Sequence, residues 1–339
     1  MGQHSLLARL PKAELHLHLE GTISAETLWA MARANHVALP VGSLEELRRL
    51  YHFESFDKFI ELWLAMCSCF RAEADYERMV DGFLAECGRQ NIRYAEVHFT
   101  PYNHEKLGIG GRLSLEAVTR RLLASEAAGG PVVRIITDIP SESADASGPF
   151  TVALLEEEAN PLVVALGLGG PEAGHPRARF TPWFERARSA GYPAVAHAGE
   201  TGGADQVRQA VLDLRVRRVQ HGVRAVEDPE VLRLLAARGI CCDVALTSNE
   251  CLKVVPSVKE HPLRQMMAAG VPVTLSTDDP PFFGTDLLRE WERAQQELDL
   301  NVAELWELNL NGLRFGLADT GQRRTLLREF EEAGRRFGL

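Results

Sequence analysis

The segment Ala194–Glu200 reads AVAHAGE, a run of small and apolar residues that contains a histidine and ends in a glutamate. Val271–Pro280 reads VPVTLSTDDP and follows the same plan, with an apolar run first and polar residues last. Nearly continuous hydrophobicity of this kind is typical of strands that are buried on both faces, as they are in parallel sheets. The two segments therefore predict parallel strands whose carboxyl ends are polar.

Runs of this type recur along the chain, and each is followed by a longer helical pattern. In DPEVLRLLAARG, for example, Asp228 is placed to cap a helix, Pro229 suits its first position and Gly239 suits its end. Eight alternations of strand and helix favour an α/β protein with a (β/α)8 TIM-type barrel. The predicted strands are Glu14–Glu20, Arg93–Thr100, Val132–Pro140, Pro161–Gly170, Ala194–Glu200, Arg218–Gly222, Ile240–Leu246 and Val271–Pro280.

The spacing of these runs predicts one barrel domain over residues 1–339, with a helical insertion at about 23–91 between the first two strands. An insertion at this point lies beside the barrel mouth, where it either closes as a lid that excludes water or simply adds helices to the barrel. The sequence is compatible with both a movable lid and additional packing helices. The tail from Val302 to Leu339 predicts two helical stretches without chemistry of their own.

Composition excludes several classes of protein. The chain has 339 residues, of which 45% are hydrophobic and 25% charged, and a net charge of -10, as expected for a globular protein. Lys and Arg form no basic stripe, so nucleic acid is not an expected partner. With no apolar run of about 18 residues and no signal-peptide core, we expect no membrane association and a cytoplasmic location. Six cysteines without a C-x-x-C pair predict reduced, packed thiols, and the oligomeric state is left open.

Ionisable residues cluster at the carboxyl ends of the predicted strands, the face at which barrel enzymes keep their active sites. In ELHLHLEG, His16 and His18 are two residues apart and point to the same side of a strand. Two such imidazoles can share one metal ion at about 2.0–2.1 Å. Taken alone, the pair is also compatible with two core histidines that bind no metal.

Three further strand ends support the prediction of a metal-binding site. They contribute His197 and Glu200 in AVAHAGE, His221 in RVQHG, and Asp278 with Asp279 in STDDP. So many polar groups are costly to bury without a common partner, and a metal ion is the simplest one. Zn²⁺ accepts both imidazole nitrogen and carboxylate oxygen, and it lowers the pKa of a bound water towards 7. Glu200 and His221 then remain as acid–base groups beside the metal.

Taken together, the motifs resemble the adenosine deaminase family of the amidohydrolase superfamily. They are PKAELHLHLEG, HAGE, RVQHG, Thr247–Asn249, Glu260–Pro262 and STDDPPFFG, and they run in the family's order from Pro11 to Gly284. The resemblance implies one catalytic Zn²⁺ per chain and a small-molecule purine substrate that loses its 6-amino group as ammonia. The implied metal ligands are His16, His18, His197 and Asp278. Strand four contains no lysine, which favours one metal over two.

The resemblance also implies roles for the residues around the metal. Glu200 looks like the acid that protonates N1 of the purine, and His221 looks like the group that orients the attacking water and is able to take its proton. Asp279 is similar to the residue that hydrogen-bonds N7, and Gly170 to the one whose N–H donates to N3. Ser248 looks like the support of the metal-binding Asp278.

Two departures from the family pattern lie near the substrate. Adenosine-specific members carry an Asp that binds the ribose 5′-hydroxyl where this chain has Glu20, and Ala245–Asn249 replaces the frequent C-P-x-S-N. Three substrates therefore stay open: adenosine or deoxyadenosine, which the resemblance implies as the family default, free adenine, and 6-aminodeoxyfutalosine, an intermediate of menaquinone biosynthesis whose 5′ end carries a benzoate. Lys58 and Arg71 are in the right region to bind that carboxylate, although both also suit a solvated helix face.

Two other classes of function compete with a purine deaminase. One is an amidohydrolase that cleaves a different ester, amide or ring C–N bond at the same metal site, and Asp279 with Gly170 argues against it. The other is a barrel that binds metal or nucleoside without catalysis, and Glu200, His221 and Asp278 together argue against that. Iron or manganese in place of zinc is also compatible with the sequence.

Overall fold

The structure is a computed structural model that describes residues 3–51, 62, 63, 65–157 and 159–339. Within these residues eight strands follow one another, and each is parallel to its sequence neighbour in one of two four-stranded sheets, β1–β4 and β5–β8. The strands are β1 Lys12–His18, β2 Ile92–Phe99, β3 Val132–Pro140, β4 Val163–Gly169, β5 Val195–Ala198, β6 Arg218–His221, β7 Cys241–Val244 and β8 Val273–Leu275.

Two further pairings join the two sheets into a barrel. Leu17 in β1 pairs in parallel with Asp278, just after β8, and Leu166 in β4 pairs with Ala194, just before β5. The His18 N–H donates to the carbonyl oxygen of Asp278 at 2.9 Å. The chain is therefore an α/β protein with a TIM-type barrel, which confirms the predicted fold class.

Several strands end sooner than predicted, at or shortly before residues with a left-handed backbone. Gly199 after β5 has φ +71°, His221 at the end of β6 has φ +62°, and Asp278 after β8 has φ +66°. Positive φ is uncommon for a residue with a Cβ and costs free energy there. His221 and Asp278 are two of the predicted site residues, so the backbone is bent where the chemistry was expected.

Helices follow the strands and form the outer layer. The helix Pro229–Arg238 begins as predicted, because the Asp228 side chain accepts the Glu230 N–H and Gly239 ends the helix at φ +60°. The helices outside the insertion and the tail are Gln3–Arg9, Pro101–Lys106, Gly111–Ala127, Ala144–Glu157, Thr181–Ser189, Ala204–Gln209, Pro229–Arg238, Leu246–Cys251, Leu263–Ala268, Pro280–Phe283 and Leu287–Glu297.

The described part of the insertion after β1 is helical, as predicted. It contains the helices Ala25–Ala34, Leu44–Leu50 and Glu73–Gln90. Tyr51 stacks on Phe282, which follows β8, with ring centroids 4.6 Å apart, so the insertion packs against the site end of the barrel. Lys58 lies outside the described residues, and movement of the insertion as a lid stays a prediction.

The predicted C-terminal stretches form the helices Val302–Phe315 and Thr320–Phe337. Asn309 fixes the first of them to the start of β1, because its side chain accepts the Ala13 N–H and donates to the Pro11 carbonyl, both at 2.9 Å. Asn309 is 3% exposed. This contact lies at the amino end of β1, away from the strand ends that carry the predicted site.

The cysteines and the hydrophobicity of the helices were also subjects of prediction. All six cysteines lie in the described residues and are free, and all but the half-buried Cys251 are buried. None of the helices in the described ranges is both long and apolar enough to cross a membrane. The extent of the single predicted domain stays a prediction.

Candidate active site

Four nitrogen and oxygen atoms converge at the carboxyl ends of β1, β5 and β8. The Nε2 atoms of His16 and His18 each lie 3.1 Å from Nε2 of His197. Oδ1 of Asp278 lies 3.5 Å from Nε2 of His16 and 3.3 Å from Nε2 of His18. The edges of a tetrahedron around a zinc ion would be about 3.4 Å, so these separations fit one four-coordinate metal.

The outer hydrogen bonds of two imidazoles show which of their nitrogens carries the proton. Nδ1 of His16 lies 2.9 Å from the Asp243 carbonyl oxygen, and Nδ1 of His197 lies 2.8 Å from the Leu168 carbonyl oxygen. Because a carbonyl only accepts, each Nδ1 must donate, and in the neutral rings both Nε2 atoms carry lone pairs. Two lone pairs that face each other at 3.1 Å repel, and a cation between them removes the repulsion. The donor set therefore fits a divalent metal.

A buried ionic layer inside the barrel supports His16. Arg218 at the start of β6 is fully buried and donates to Asp243 at 2.8 Å and to Glu96 at 2.6 Å. Thr274 donates to the other oxygen of Asp243 at 2.7 Å. With both of its oxygens held, Asp243 presents its backbone carbonyl to His16 in a fixed direction.

His18 has a different outer neighbour, which the sequence analysis missed. Its Nδ1 lies 3.9 Å from Oδ2 of Asp138 at the end of β3, and Nδ1 of the fully buried His98 lies 2.9 Å from Oδ1 of the same carboxylate. A Cβ at Gly167 would lie 1.8 Å from that Oδ1, so only glycine leaves room for the carboxylate. Asp138 lies two residues before the end of the predicted strand Val132–Pro140, so a search for polar residues near strand ends could have found it.

Asp278 is held by the residue predicted to support it. The Ser248 hydroxyl donates to Oδ2 of Asp278 at 2.6 Å, which leaves Oδ1 for the donor set. The Asp278 N–H also donates to the His16 carbonyl at 3.1 Å, so β1 fixes the backbone at the left-handed residue. The carboxylate is thus restrained from both its side chain and its backbone.

We expect Ser248→Ala to weaken metal binding about 10- to 100-fold, because loss of such a supporting hydrogen bond frees the ligand to rotate. The measurement is the metal dissociation constant from competition with a chromogenic chelator. Ser189→Ala is the matched control, since Ser189 donates to the Glu185 carbonyl on an outer helix. Equal affinities for the Ser248→Ala variant and the control would show that the hydrogen bond does not orient Asp278.

Glu200 lies in the turn after β5, and the carboxylate of Glu172 fixes the backbone of this turn. Glu172 accepts the N–H groups of Gly199, Glu200 and Thr201 at 2.8, 2.8 and 2.9 Å. Burial raises the pKa of the Glu200 carboxyl well above its usual value, and the charges of Asp278 and Glu172 act in the same direction. Glu200 therefore keeps its proton in the range where a free glutamate has lost it.

His221 stands between Glu200 and the metal donors. Its Nε2 lies 3.6 Å from Oε1 of Glu200 and 3.8 Å from Oδ2 of Asp278. Metal-ligating atoms of His16, His197, His221 and Asp278 all lie within 4.8 Å of one another. We assign the metal to the set containing His18 rather than His221, because Nε2 of His18 lies 3.3 Å from Asp278 and 3.1 Å from Nε2 of His197, whereas Nε2 of His221 lies 3.8 Å from Asp278.

Asp279 presents an unused polar atom beside the same cluster. It is 4% exposed, and among the described residues its Oδ1 has no hydrogen-bond partner. A Cβ at Gly21 would lie 1.8 Å from this oxygen, so the glycine is required to admit the carboxyl. Burial raises the pKa of Asp279 well above its usual value, with the charge of Asp278 adding to the effect. A buried carboxyl without a partner is suited to a polar ligand.

The other two predicted substrate residues lie in different surroundings. Gly170 is exposed just after β4 with φ +82°. Glu20 is only 1% exposed, and its Oε1 accepts the Thr100 N–H at 3.1 Å and lies 3.4 Å from Nε2 of His104. Direct contact of either residue with substrate stays a prediction.

An aromatic wall completes the described surroundings of the donors. The half-buried Trp63 from the insertion lies edge-on to His18, with ring centroids 6.4 Å apart, and 6.0 Å from the ring of Phe282. Aromatic faces beside convergent polar groups are typical of sites for small planar ligands. The insertion therefore contributes directly to the site.

Known proteins show similarity across nearly the whole chain. A sequence model of the family described as adenosine deaminase matches residues 11–333. An aminodeoxyfutalosine deaminase of Streptomyces avermitilis is 36% identical over 330 residues, covering 97% of this chain and 92% of the relative. The solved adenine deaminase from Arthrobacter aurescens is 31% identical with a TM-score of 0.91, over 95% of this chain and 98% of that one. An amidohydrolase from Burkholderia ambifaria, solved with bound Zn, is 25% identical with a TM-score of 0.90, over 99% and 94%.

Proposed function

The chain belongs to the adenosine deaminase family, and from this premise we propose that it hydrolyses the 6-amino group of 6-aminodeoxyfutalosine. As a family member it is a hydrolytic deaminase of the amidohydrolase superfamily. One observation carries the reaction type: a largely buried carboxyl with a raised pKa, Glu200, lies beside the metal donors and His221. An acid placed there can protonate a ring nitrogen as water attacks the adjoining carbon.

Each residue of the site has a separate role in the proposed reaction. A divalent ion held by His16, His18, His197 and Asp278 would supply a water of lowered pKa as nucleophile. As water adds to C6, electron density moves to N1, and Glu200 donates its proton there. Asp279 holds N7 and the Gly170 N–H holds N3, so that the ring keeps its orientation. The two protons of the water complete the balance, because one returns to the Glu200 carboxylate and the other is transferred to N6. The C6–N6 bond then breaks, ammonia leaves, and the product is a 6-oxopurine.

Zinc is the metal we propose, with one ion per chain. Three imidazole nitrogens and one carboxylate oxygen form a donor set that Zn²⁺ accepts, and the Burkholderia ambifaria amidohydrolase was solved with Zn. Iron and manganese are the alternatives that a metal analysis of the protein purified from its own cells would detect.

The identity of the purine's substituent rests on similarity and on Glu20. The 36% identity to an aminodeoxyfutalosine deaminase favours that substrate, and free adenine is the second candidate because of the likeness to the Arthrobacter adenine deaminase. Adenosine is less favoured, since this chain has Glu20 where adenosine-specific members have Asp, and Oε1 of Glu20 already accepts the Thr100 N–H at 3.1 Å. Arg71 is exposed, and Nη1 of its guanidinium donates to the Phe70 carbonyl at 2.8 Å. A guanidinium has five N–H donors, so we propose that the others bind the benzoate of aminodeoxyfutalosine.

The proposal predicts the outcome of an ultraviolet assay of zinc-loaded protein against 6-aminodeoxyfutalosine, adenine, adenosine and 2′-deoxyadenosine. We expect kcat/KM for 6-aminodeoxyfutalosine to exceed the others by about 10²-fold or more, because a site that binds a polar substituent loses that binding in analogues without it. The protein stripped of metal is the control. Faster turnover of adenine would establish the second candidate instead, and turnover of none would contradict a purine deaminase.

A further inference from the structure

We propose that Asn249 and His261 are positioning residues that fix the ring of His221 in the tautomer with its proton on Nε2. The inference deepens the proposed function, on which the catalytic meaning of His221 rests. The three side chains are buried, with exposures of 0%, 4% and 1%, so solvent does not compete for their hydrogen bonds. The motifs Thr247–Asn249 and Glu260–Pro262 contain these two residues, but the sequence assigns no role to either.

The three side chains form one continuous line of hydrogen bonds that begins at the backbone. The Leu263 N–H donates to Nδ1 of His261 at 3.1 Å. Nε2 of His261 lies 3.1 Å from Oδ1 of Asn249, and Nδ2 of Asn249 lies 3.1 Å from Nδ1 of His221. Nε2 of His221 then faces Oε1 of Glu200 at 3.6 Å and Oδ2 of Asp278 at 3.8 Å.

The direction of every bond follows from the first one. A backbone N–H can only donate, so Nδ1 of His261 accepts and the proton of its neutral ring sits on Nε2. That proton needs an acceptor, which is Oδ1 of Asn249, and the amide therefore turns its NH₂ towards His221. Nδ1 of His221 accepts in turn, which leaves the ring proton on Nε2. Burial lowers the pKa of His261 to about 3, so this ring stays neutral.

The orientation gives His221 a defined part in the reaction. Its Nδ1 is occupied by the amide of Asn249, and its Nε2 already carries a proton that points towards Glu200 and Asp278. In this form His221 orients an oxygen by donating a hydrogen bond, and it has no free nitrogen with which to take a proton. This role differs from that of the proton acceptor implied by the family resemblance.

Asn249→Asp tests the inference, because a carboxylate has the same shape but only accepts. It would place an acceptor opposite Nδ1 of His221 and draw the ring proton to that side. We expect kcat to fall on the order of 10²-fold or more, with KM changed less, as for other residues that set a tautomer. Metal analysis should still find one zinc per chain, because none of the donors is altered.

Nitrogen-15 NMR of the zinc-loaded wild-type protein measures the tautomer directly, with the His221 signals assigned by their loss in His221→Gln. We expect a protonated Nε2 and a bare Nδ1, and a protonated Nδ1 would overturn the inference. This measurement needs no substrate, so a failure of the substrate assay leaves it intact.

Asn309→Asp is the matched control, since Asn309 is equally buried and also makes one accepting and one donating hydrogen bond, at the amino end of β1. It should lower the melting temperature but leave kcat and the His221 tautomer unchanged. If Asn249→Asp lowers the melting temperature alone and leaves kcat as the control does, Asn249 is merely structural and the inference is wrong.

Discussion

Replacement of Glu200 by Gln is expected to lower kcat about 10³-fold while the metal content and the fold stay unchanged. The amide has the shape of the protonated carboxyl and can still donate a hydrogen bond to N1, but it has no proton to give. The turn that carries residue 200 is held through its backbone by Glu172, which the substitution does not touch. Steady-state kinetics with the best substrate of the assay measure the loss.

The same pair of proteins should differ in their dependence on pH. Burial, followed by the charges of Asp278 and Glu172, raises the pKa of Glu200. The working form is the acid, so kcat/KM of the wild type falls as the pH rises through that raised pKa. The residual activity of Glu200→Gln should lack this alkaline decline. Glu185→Gln, at an exposed position on an outer helix, is the control that should keep the wild-type rate and profile. A Glu200→Gln variant that retains a tenth of the wild-type kcat would exclude Glu200 as the proton donor.

The fold could be predicted because its signals are local. Strands buried on both faces must be apolar along their length, as in VPVTLST, and a cap such as Asp228 with Pro229 marks a helix start wherever it occurs. The candidate metal ligands could be predicted in the same way. Polar side chains at the carboxyl ends of barrel strands meet at the active-site face. Asp138, two residues before the end of β3, obeys that rule too, although no recognised motif contains it.

The other contacts of the site join residues that are far apart in sequence, so no local sequence pattern predicts them. Glu172 lies 27 to 29 residues before the three N–H groups that it binds, in a loop that resembles any polar connection. The link from His261 to His221 passes through Asn249, and its direction is set by a single backbone N–H. The left-handed backbone at His221 and Asp278 is likewise a product of packing, which is why the sixth and eighth strands were predicted too long.

Removal of the metal should abolish turnover and lower the melting temperature. Without a cation, the lone pairs of His16 and His197 face each other at 3.1 Å, and the carboxylate of Asp278 loses its positive counterpart. An ion that binds only the folded chain stabilises it by mass action, so we expect a loss on the order of 5 °C on treatment with a chelator. One equivalent of Zn²⁺ per chain should restore both the activity and the melting temperature.

His16→Gln separates the effect of the bound ion from any effect of the chelator itself. The variant lacks one of the four donors, so chelator should no longer change its melting temperature, and added Zn²⁺ should not restore turnover. His36→Gln, at an exposed position in the insertion, should respond to chelator and zinc as the wild type does. If the wild type kept its turnover and its melting temperature after complete removal of metal, the four donors would have to be held together by shared protons. One Nε2 of His16, His18 or His197 would then carry a proton, and the reaction would have to find its nucleophile without a metal.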